Sequence, residues 1–181
     1  MKVLCFGLFW LLVLFMNTAC TTPISKYADN TPTLKPESFF NGKLTAHGVV
    51  KDFRGKVIRS FNADITAYWV DGVGTLDEDF VFDDGEQQKR VWTLTPQRSE
   101  NAYVRLYKGT AGDVVKPALV RVSGNAMLLK YILRIKRDKG EIDITVDDKM
   151  YLVNDKVIIN QSKLKKWGLP VGEVLLTIVK H

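Results

Sequence analysis

Carboxyl groups are concentrated between residues 77 and 86, and this density is the first pattern in the sequence that could support chemistry. The residues are Asp77, Glu78, Asp79, Asp83, Asp84 and Glu86. Such a set could bind a metal ion or, as a pair of acids, cleave a glycosidic bond. In a strand, however, neighbouring side chains face opposite sides, so Glu78 points away from Asp77 and Asp79. We therefore predict a solvated strand face leading into a turn, with Glu78 alone on the apolar face, where an acid must be paired, solvated or protonated.

A second pattern places an arginine between two tyrosines. Tyr103, Arg105 and Tyr107 share one face of a predicted strand over 103–107. A guanidinium binds carboxylate or phosphate groups, and the tyrosine rings would contact an acyl stem. If this face lines a cavity, the arginine needs an anionic head group or an internal acid such as Glu78 as its partner. The alternative is an external face on which arginine stacks against tyrosine.

Other polar motifs carry weaker predictions. Asp147 and Asp148 are interpreted as a bulge or turn at a strand end, since the alternate ligands and closing Glu of a calcium loop are absent. His47 and His181 have no second ligand at useful spacing, so neither a zinc site nor a catalytic triad is predicted. The glycine-rich stretch 109–113 opens no helix and has no Lys-Ser/Thr, which favours a flexible connection at a barrel mouth over a nucleotide loop. We expect no catalytic residue, no metal and no cofactor.

The tryptophans divide into two kinds. Trp69 and Trp92 end or centre alternating apolar sets, so we assign them to the core and to the wall of a ligand cavity. Trp167 follows Lys163, Lys165 and Lys166 in a predicted helical turn over 162–167. This basic and aromatic patch either lies against anionic lipid head groups or is a solvated turn.

The elements that must position these residues are strands. From Gly42 onward the apolar residues alternate with polar ones, as in Phe61, Ala63 and Ile65 set against Asn62 and Asp64. Turn signals separate about ten short strands at intervals of roughly 8 to 12 residues, which is typical of an antiparallel barrel or sandwich. Sequential hairpins favour an up-and-down barrel of roughly eight to ten strands, because closure removes unpaired edges. A barrel of that size encloses one small ligand.

The N-terminus has the features of a secretory signal. Residues 1–19 begin with Lys2 and continue with an apolar run over 3–16, which is too short to span a bilayer comfortably. The run ends in Ala19 and Cys20, an arrangement that resembles the bacterial lipobox. This resemblance implies that Cys20 is lipidated and becomes the new N-terminus. The alternative is an ordinary signal peptide that is cut after Ala19.

The residues after the cysteine bear on location and on domain limits. Thr21 and Thr22 stand where an Asp would favour inner-membrane retention, so by resemblance to sorting signals we expect the periplasmic face of the outer membrane. Residues 20–38 contain three prolines among Ser, Thr and Asn, a composition typical of a flexible tether. The barrel domain is then predicted over 39–181.

Three stretches of the sequence carry a resemblance to a known family. They are residues 74–80, residues 109–113, and residues 145–152 continuing to Asn160. With them the chain resembles the DUF3833 family of proteobacterial lipoproteins. The resemblance implies a lipocalin-like fold and an envelope location, and it supplies no catalytic residues to transfer.

The predicted function rests on this architecture. A net charge of +6 is too small to indicate nucleic-acid binding. We predict a non-enzymatic lipoprotein that is held on the membrane by its anchor and whose barrel binds or shields an apolar ligand, a fatty acyl chain or related lipid. The alternatives are an envelope scaffold with a filled interior and an isomerase or cyclase that acts inside the cavity. The oligomeric state stays open.

Overall fold

The computed structural model describes residues 22–137 and 139–181, which form a closed antiparallel barrel. The strands are β1 (Gly42–Asp52), β2 (Val57–Val70), β3 (Val73–Phe82), β4 (Gln87–Gln97), β5 (Arg105–Thr110), β6 (Ala118–Ser123), β7 (Ala126–Arg137), β8 (Gly140–Asn154), β9 (Val157–Lys166) and β10 (Leu169–Lys180). Each strand pairs with the next, and β10 returns to pair with β1. The predicted up-and-down barrel is confirmed. The predicted signal peptide and Cys20 lie outside the described residues.

The alternation of side chains explains why these segments are strands. Along β2, the residues from Phe61 to Ala67 are alternately buried and exposed, and the buried set is apolar. A tight turn joins β2 to β3 through Asp71 and Gly72, whose φ values are 49° and 77°. Two consecutive residues with positive φ match the twist of hairpin strands. Local sequence and sheet geometry therefore agree along this part of the wall.

The two ends of the barrel differ, and we call them the closed end and the open end. At the closed end β1 begins, and the residues that precede it pack against the barrel as a short 3₁₀ helix (Ile24–Tyr27) and one helical turn, α1 (Pro36–Phe39). Leu34 and Phe40 are buried there, and the Leu34 amide donates to the Gly124 carbonyl at 2.8 Å. The open end carries the turns that come after β1, β3, β7 and β9 and the longer loop that comes after β5.

The packed segment shortens the predicted tether. Leu34 and Pro36 fall within the range 20–38 that we expected to be flexible, yet both are buried against the barrel. Apolar side chains in that stretch gain more from covering the barrel end than the chain loses by becoming ordered. Residues 22–181 thus contain the closed sheet and the segment that seals it, and they form a self-contained folding unit.

Three further predictions about the strands are wrong. No turn occurs at Asp147 and Asp148, because β8 continues through them with Asp148 facing inward. No helical turn occurs over 162–167, because β9 extends to Lys166 and pairs with β10. Tyr103 precedes β5, which begins at Arg105.

The glycine-rich stretch is also more ordered than a flexible connection. Gly109 and Thr110 belong to β5, and the loop after them is bound to β7. The Arg134 amide donates to the Asp113 carbonyl at 2.8 Å, and the Val115 amide donates to the Ile132 carbonyl at 2.9 Å. Within the two described ranges, no helix has the length and apolar character needed to cross a membrane.

The seal at the closed end can be tested by truncating its largest side chain. Phe40 is 1% exposed and packs edge-on against Phe39, with ring centroids 5.1 Å apart. We expect Phe40→Ala to lower the free energy of unfolding by about 3 to 5 kcal/mol, the usual cost of removing a buried aromatic ring. Denaturant unfolding measures this change. Phe53→Ala is the matched control, because Phe53 is 65% exposed; similar losses in both variants would contradict a sealed end.

Candidate functional site

A set of polar side chains faces the barrel interior at mid-height, and we call it the inner polar layer. Its members are Glu78, Arg90, Asp113, Tyr131, Asp148, Asn160 and Ser162. They come from β3, β4, the loop after β5, β7, β8 and β9. The alternation that buries the apolar residues of each strand also turns these polar residues inward. Six separate elements of the chain therefore contribute to one site.

Asp148 is the most enclosed acid of this layer. Its Oδ1 accepts hydrogen bonds from the Asn160 side-chain amide and, at 2.8 Å, from the Ser162 hydroxyl. The register explains the contact, since Asp148 lies directly opposite Ser162 on β9. Burial raises the pKa of Asp148 above its ordinary value, although Asn160, Ser162 and Arg90 oppose the shift. Burial and the neighbouring polar groups therefore act in opposite directions on the pKa of this carboxyl group.

Glu78 and Arg90 form a cross-strand pair in the same layer. They are opposite each other in the β3–β4 register. Arg90 forms an ion pair with Asp113, with 2.7 Å between Nη2 and Oδ2. Burial raises the pKa of Glu78 from 4.5 to about 7, Arg90 opposes the shift, and the charges of Asp148 and Asp113 add to it. Glu78 therefore changes protonation near neutral pH.

Between the inner polar layer and the open end, the interior wall is apolar and only partly buried. The inward-facing residues packed there are Phe80, Leu133, Ile142 and Leu164. These side chains are less enclosed than the apolar core closer to the closed end. The wall on the side of the open end therefore keeps some apolar surface accessible.

The predicted arginine and tyrosine cluster lies elsewhere, at the closed end. Arg105 donates from Nη2 to the Leu34 carbonyl and pairs with Glu37 at 3.6 Å, and the Tyr107 hydroxyl donates to the Glu37 carboxylate. The indole of Trp69 donates to the Phe40 carbonyl at 2.8 Å. The acid that partners Arg105 is therefore Glu37, which is partly exposed, and the expectation that Glu78 fills this role is wrong. These side chains hold the N-terminal segment in place.

The other residues predicted to bind ligand do not form one cluster either. Tyr103 lies in the loop before β5, is 74% exposed and does not share a face with Arg105 and Tyr107. Trp92 is buried, and its ring meets that of Tyr131 edge-on at 5.2 Å between centroids. Of the six residues predicted to bind ligand, only Glu78 and Trp92 lie at the inner polar layer.

The prediction from sequence missed most members of this layer. Asn160 and Ser162 occupy the inward positions of β9, between the apolar residues Ile158 and Leu164. This interruption of an apolar alternation was the available signal. Within the described ranges, no three His, Cys, Asp or Glu side chains group as metal ligands.

Chemically, the layer offers hydrogen-bond acceptors and one proton-exchanging acid below an apolar wall. Burial also raises the pKa of the Tyr131 phenol, so its hydroxyl keeps its proton and serves as a donor or acceptor. Such an arrangement can orient the polar end of a molecule whose apolar body contacts the wall.

Comparison with known proteins places the fold in context. A family model described as a protein of unknown function, DUF3833, matches residues 13–180. Among solved structures, an S-type phycobiliprotein lyase from Guillardia theta is 12% identical with a TM-score of 0.52, over 82% of this chain and 93% of that one. A DUF3598 protein of unknown function from Nostoc punctiforme PCC 73102 is 14% identical with a TM-score of 0.54, over 83% of this chain and 50% of that one. The fold is therefore lipocalin-like, and no match was found among curated proteins.

The raised pKa of Glu78 predicts how stability depends on pH. An acid with a higher pKa in the folded than in the unfolded state makes the folded state bind more protons, so stability falls as pH rises from about 4.5 to about 7. We expect the free energy of unfolding to fall by up to about 3 kcal/mol between pH 5 and pH 8. Glu78→Gln should remove much of this fall, because it removes the group that titrates in this pH range.

The control for this measurement is Asp79→Asn on the outward face of the same strand. Asp79 pairs with Lys89 at 3.2 Å, away from the interior. Urea unfolding of the three proteins at both pH values gives the comparison. If Glu78→Gln and wild type lose the same stability between pH 5 and pH 8, then Glu78 does not titrate as described.

Proposed function

The chain belongs to the DUF3833 family, whose function is unknown, and from that premise we propose that its barrel binds one apolar small molecule through the open end. The observation that carries the proposal is the partly exposed apolar wall above the inner polar layer. A barrel that served only as a scaffold has no need of inward apolar residues in contact with water, since exposed apolar surface costs free energy. Ligand binding offsets that cost.

We further propose that the ligand is an acyl chain or a related lipid. Burying about eight methylene groups contributes about 6 kcal/mol before ordering losses, which together with one polar contact suffices for micromolar affinity. Phe80, Leu133 and Leu164 supply the kind of wall that such a chain contacts. The polar end would reach the inner polar layer.

The charges of the inner polar layer determine which polar end group of a lipid it can bind. Glu78, Asp113 and Asp148 share one guanidinium, that of Arg90, which is already paired with Asp113. A carboxylate ligand would add a negative charge where burial already disfavours the ionised form of two acids. A hydroxyl, amide or amine, by contrast, donates a hydrogen bond to these oxygens. We therefore propose a lipid with a neutral or cationic polar end.

The envelope location remains part of the proposal. The apolar leader, the lipobox-like end at Cys20 and the threonines after it support a lipoprotein at the periplasmic face of the outer membrane. Cys20 lies outside the described residues. Its lipid chains would hold the barrel on the membrane without inserting it.

One observation favours a second candidate, an isomerase or cyclase acting inside the barrel. The acid with a pKa of about 7, Glu78, shares its layer with the Tyr131 phenol and Asp148. An acid that exchanges its proton near neutral pH is suited to general acid–base catalysis. The phycobiliprotein lyase of similar fold shows that a named enzyme occurs on such a scaffold, though at 12% identity it bears on fold alone.

The ligand proposal predicts a difference between matched ligands and between matched variants. At pH 8, calorimetric titration of residues 22–181 should show dodecanol binding at least about tenfold more tightly than dodecanoate, which is about 1.4 kcal/mol. Leu133→Trp should fill the mouth and weaken dodecanol binding at least about tenfold. Ile132→Trp is the control, because the Ile132 side chain points outward on the same strand.

The outcomes of this titration separate the hypotheses. Tighter binding of dodecanoate contradicts the charge argument, and failure of both ligands, or equal losses in the two tryptophan variants, contradicts ligand binding in the barrel. Mass spectrometry of molecules co-extracted with the purified protein identifies the natural ligand class. Conversion of that molecule by wild type but not by Glu78→Gln would favour the enzyme.

The anchor has its own test. Cys20→Ser in the full chain should abolish metabolic labelling with palmitate and release the protein from the membrane fraction, because the thioether link needs the thiol. Labelling that persists in the variant would contradict lipidation at Cys20. Neither outcome affects the proposal for the interior.

A further inference from the structure

Three hairpin tips are neighbours at the open end, and two of them expose large apolar side chains. The tips join β1 to β2, β9 to β10 and β7 to β8, and the strand order places them side by side. The exposed apolar residues on the first two are Phe53, Ile58, Trp167, Leu169 and Val171. Trp167 borders an open groove that is lined mainly by polar side chains, and the other four apolar residues lie outside this groove.

Basic residues surround these apolar tips, and we call the whole set the basic-aromatic rim. The basic members are Arg54, Lys56, Lys136, Arg137, Lys139 and Lys166. Arg54 lies 5.1 Å from the ring centroid of Phe53, and Lys166 lies 4.4 Å from that of Trp167. Each aromatic tip thus carries a cation beside it.

Described acids on the same tips are bound within the protein. Asp52 accepts hydrogen bonds from the backbone amides of Arg54 and Lys56 at 2.9 and 3.0 Å. Glu141 pairs with Arg134 at 3.4 Å. The β3–β4 tip beyond β2 is acidic instead, with Asp84 and Glu86 holding Arg59. Among the described residues, the three tips of the rim are therefore mainly basic, whereas the β3–β4 tip is acidic.

The two-residue turn between β9 and β10 requires a positive φ at residue 167, but nothing in the fold requires a tryptophan there. Trp167 has φ 51° and is 89% exposed, so a bulky side chain occupies a left-handed position that Gly or Asn adopts more easily. It buries almost no surface in the barrel. A strained residue with no packing role points to a function outside the fold.

We propose that the basic-aromatic rim docks on an anionic phospholipid surface. Convex tips with amphipathic rings enter the head-group region of a bilayer, whereas a protein partner would require a broad complementary face. The rim's cations match the negative surface charge of such a bilayer. Docking on this side brings the open mouth next to a source of apolar molecules, but it does not depend on the interior binding one.

Vesicle sedimentation of residues 22–181 tests the proposal. We expect binding to phosphatidylcholine vesicles that contain phosphatidylglycerol, a shift of tryptophan emission to shorter wavelength, and weaker binding when NaCl rises from about 0.05 to about 0.5 M. Trp167→Asn should weaken binding about tenfold while leaving the thermal midpoint unchanged or higher, since Asn relieves the backbone strain. Lys166→Gln should weaken it about fivefold.

Two further variants keep the result interpretable. Phe53→Ser removes an apolar residue from a different tip and should weaken vesicle binding without lowering stability. Tyr103→Ser is the matched control, because this exposed aromatic residue lies towards the closed end. Equal sedimentation with pure phosphatidylcholine, no sedimentation with either vesicle, or a loss in Tyr103→Ser as large as that in Trp167→Asn would overturn the proposal. Failure of dodecanol binding leaves this test unaffected.

Discussion

The pairing of β1 with β10 is the interaction on which the rest of the structure depends, because it turns a ten-stranded sheet into a barrel with an inside. Two glycines permit it. A Cβ on Gly48 would lie 2.5 Å from the Phe61 ring and 2.7 Å from the Leu176 Cβ, and one on Gly172 would lie 2.6 Å from the Lys51 carbonyl oxygen. Larger residues would force the seam apart and leave two unpaired edges. Closure then assigns every second side chain to one shared interior.

That interior contains groups that work against stability. Burial disfavours the charged forms of Glu78 and Asp148. Apolar residues of similar size at these positions would usually give a more stable core. The acid at the closed end is placed differently. Glu37 pairs with Arg105 and accepts a hydrogen bond from Tyr107, and its partly exposed position keeps the cost of burying its charge low. Acids kept in the interior with raised pKa values are typical of sites that meet a ligand.

Much of the barrel wall could be predicted from the sequence, because the alternation of apolar and polar residues along a strand is visible within a short stretch of sequence. Phe61 to Trp69 and the Asp83–Glu86 turn needed only neighbouring residues to be recognised. The predictions failed where a residue's position depends on partners in another strand. Asp148 lies within β8 and faces inward, where Asn160 and Ser162 of β9 donate hydrogen bonds to it. Likewise, a stretch with three prolines gives no local sign that Leu34 seals a barrel end. Placing Arg105 correctly required knowing that Glu37, far away in sequence, would reach it.

The two ends of the barrel set a geometric condition on the proposals. The 3₁₀ helix Ile24–Tyr27 lies at the closed end, with the Tyr27 carbonyl against Gly124, so a lipid on Cys20 would be followed by only three residues before packed structure. Three residues reach about 10 Å, so the closed end would lie towards the anchoring bilayer. Strands of ten or more residues at about 3.3 Å each place the rim roughly 30 Å farther away. If Cys20 is lipidated, the anchor and the rim would therefore contact different lipid surfaces, and the sealed end rather than the mouth would face the anchoring bilayer.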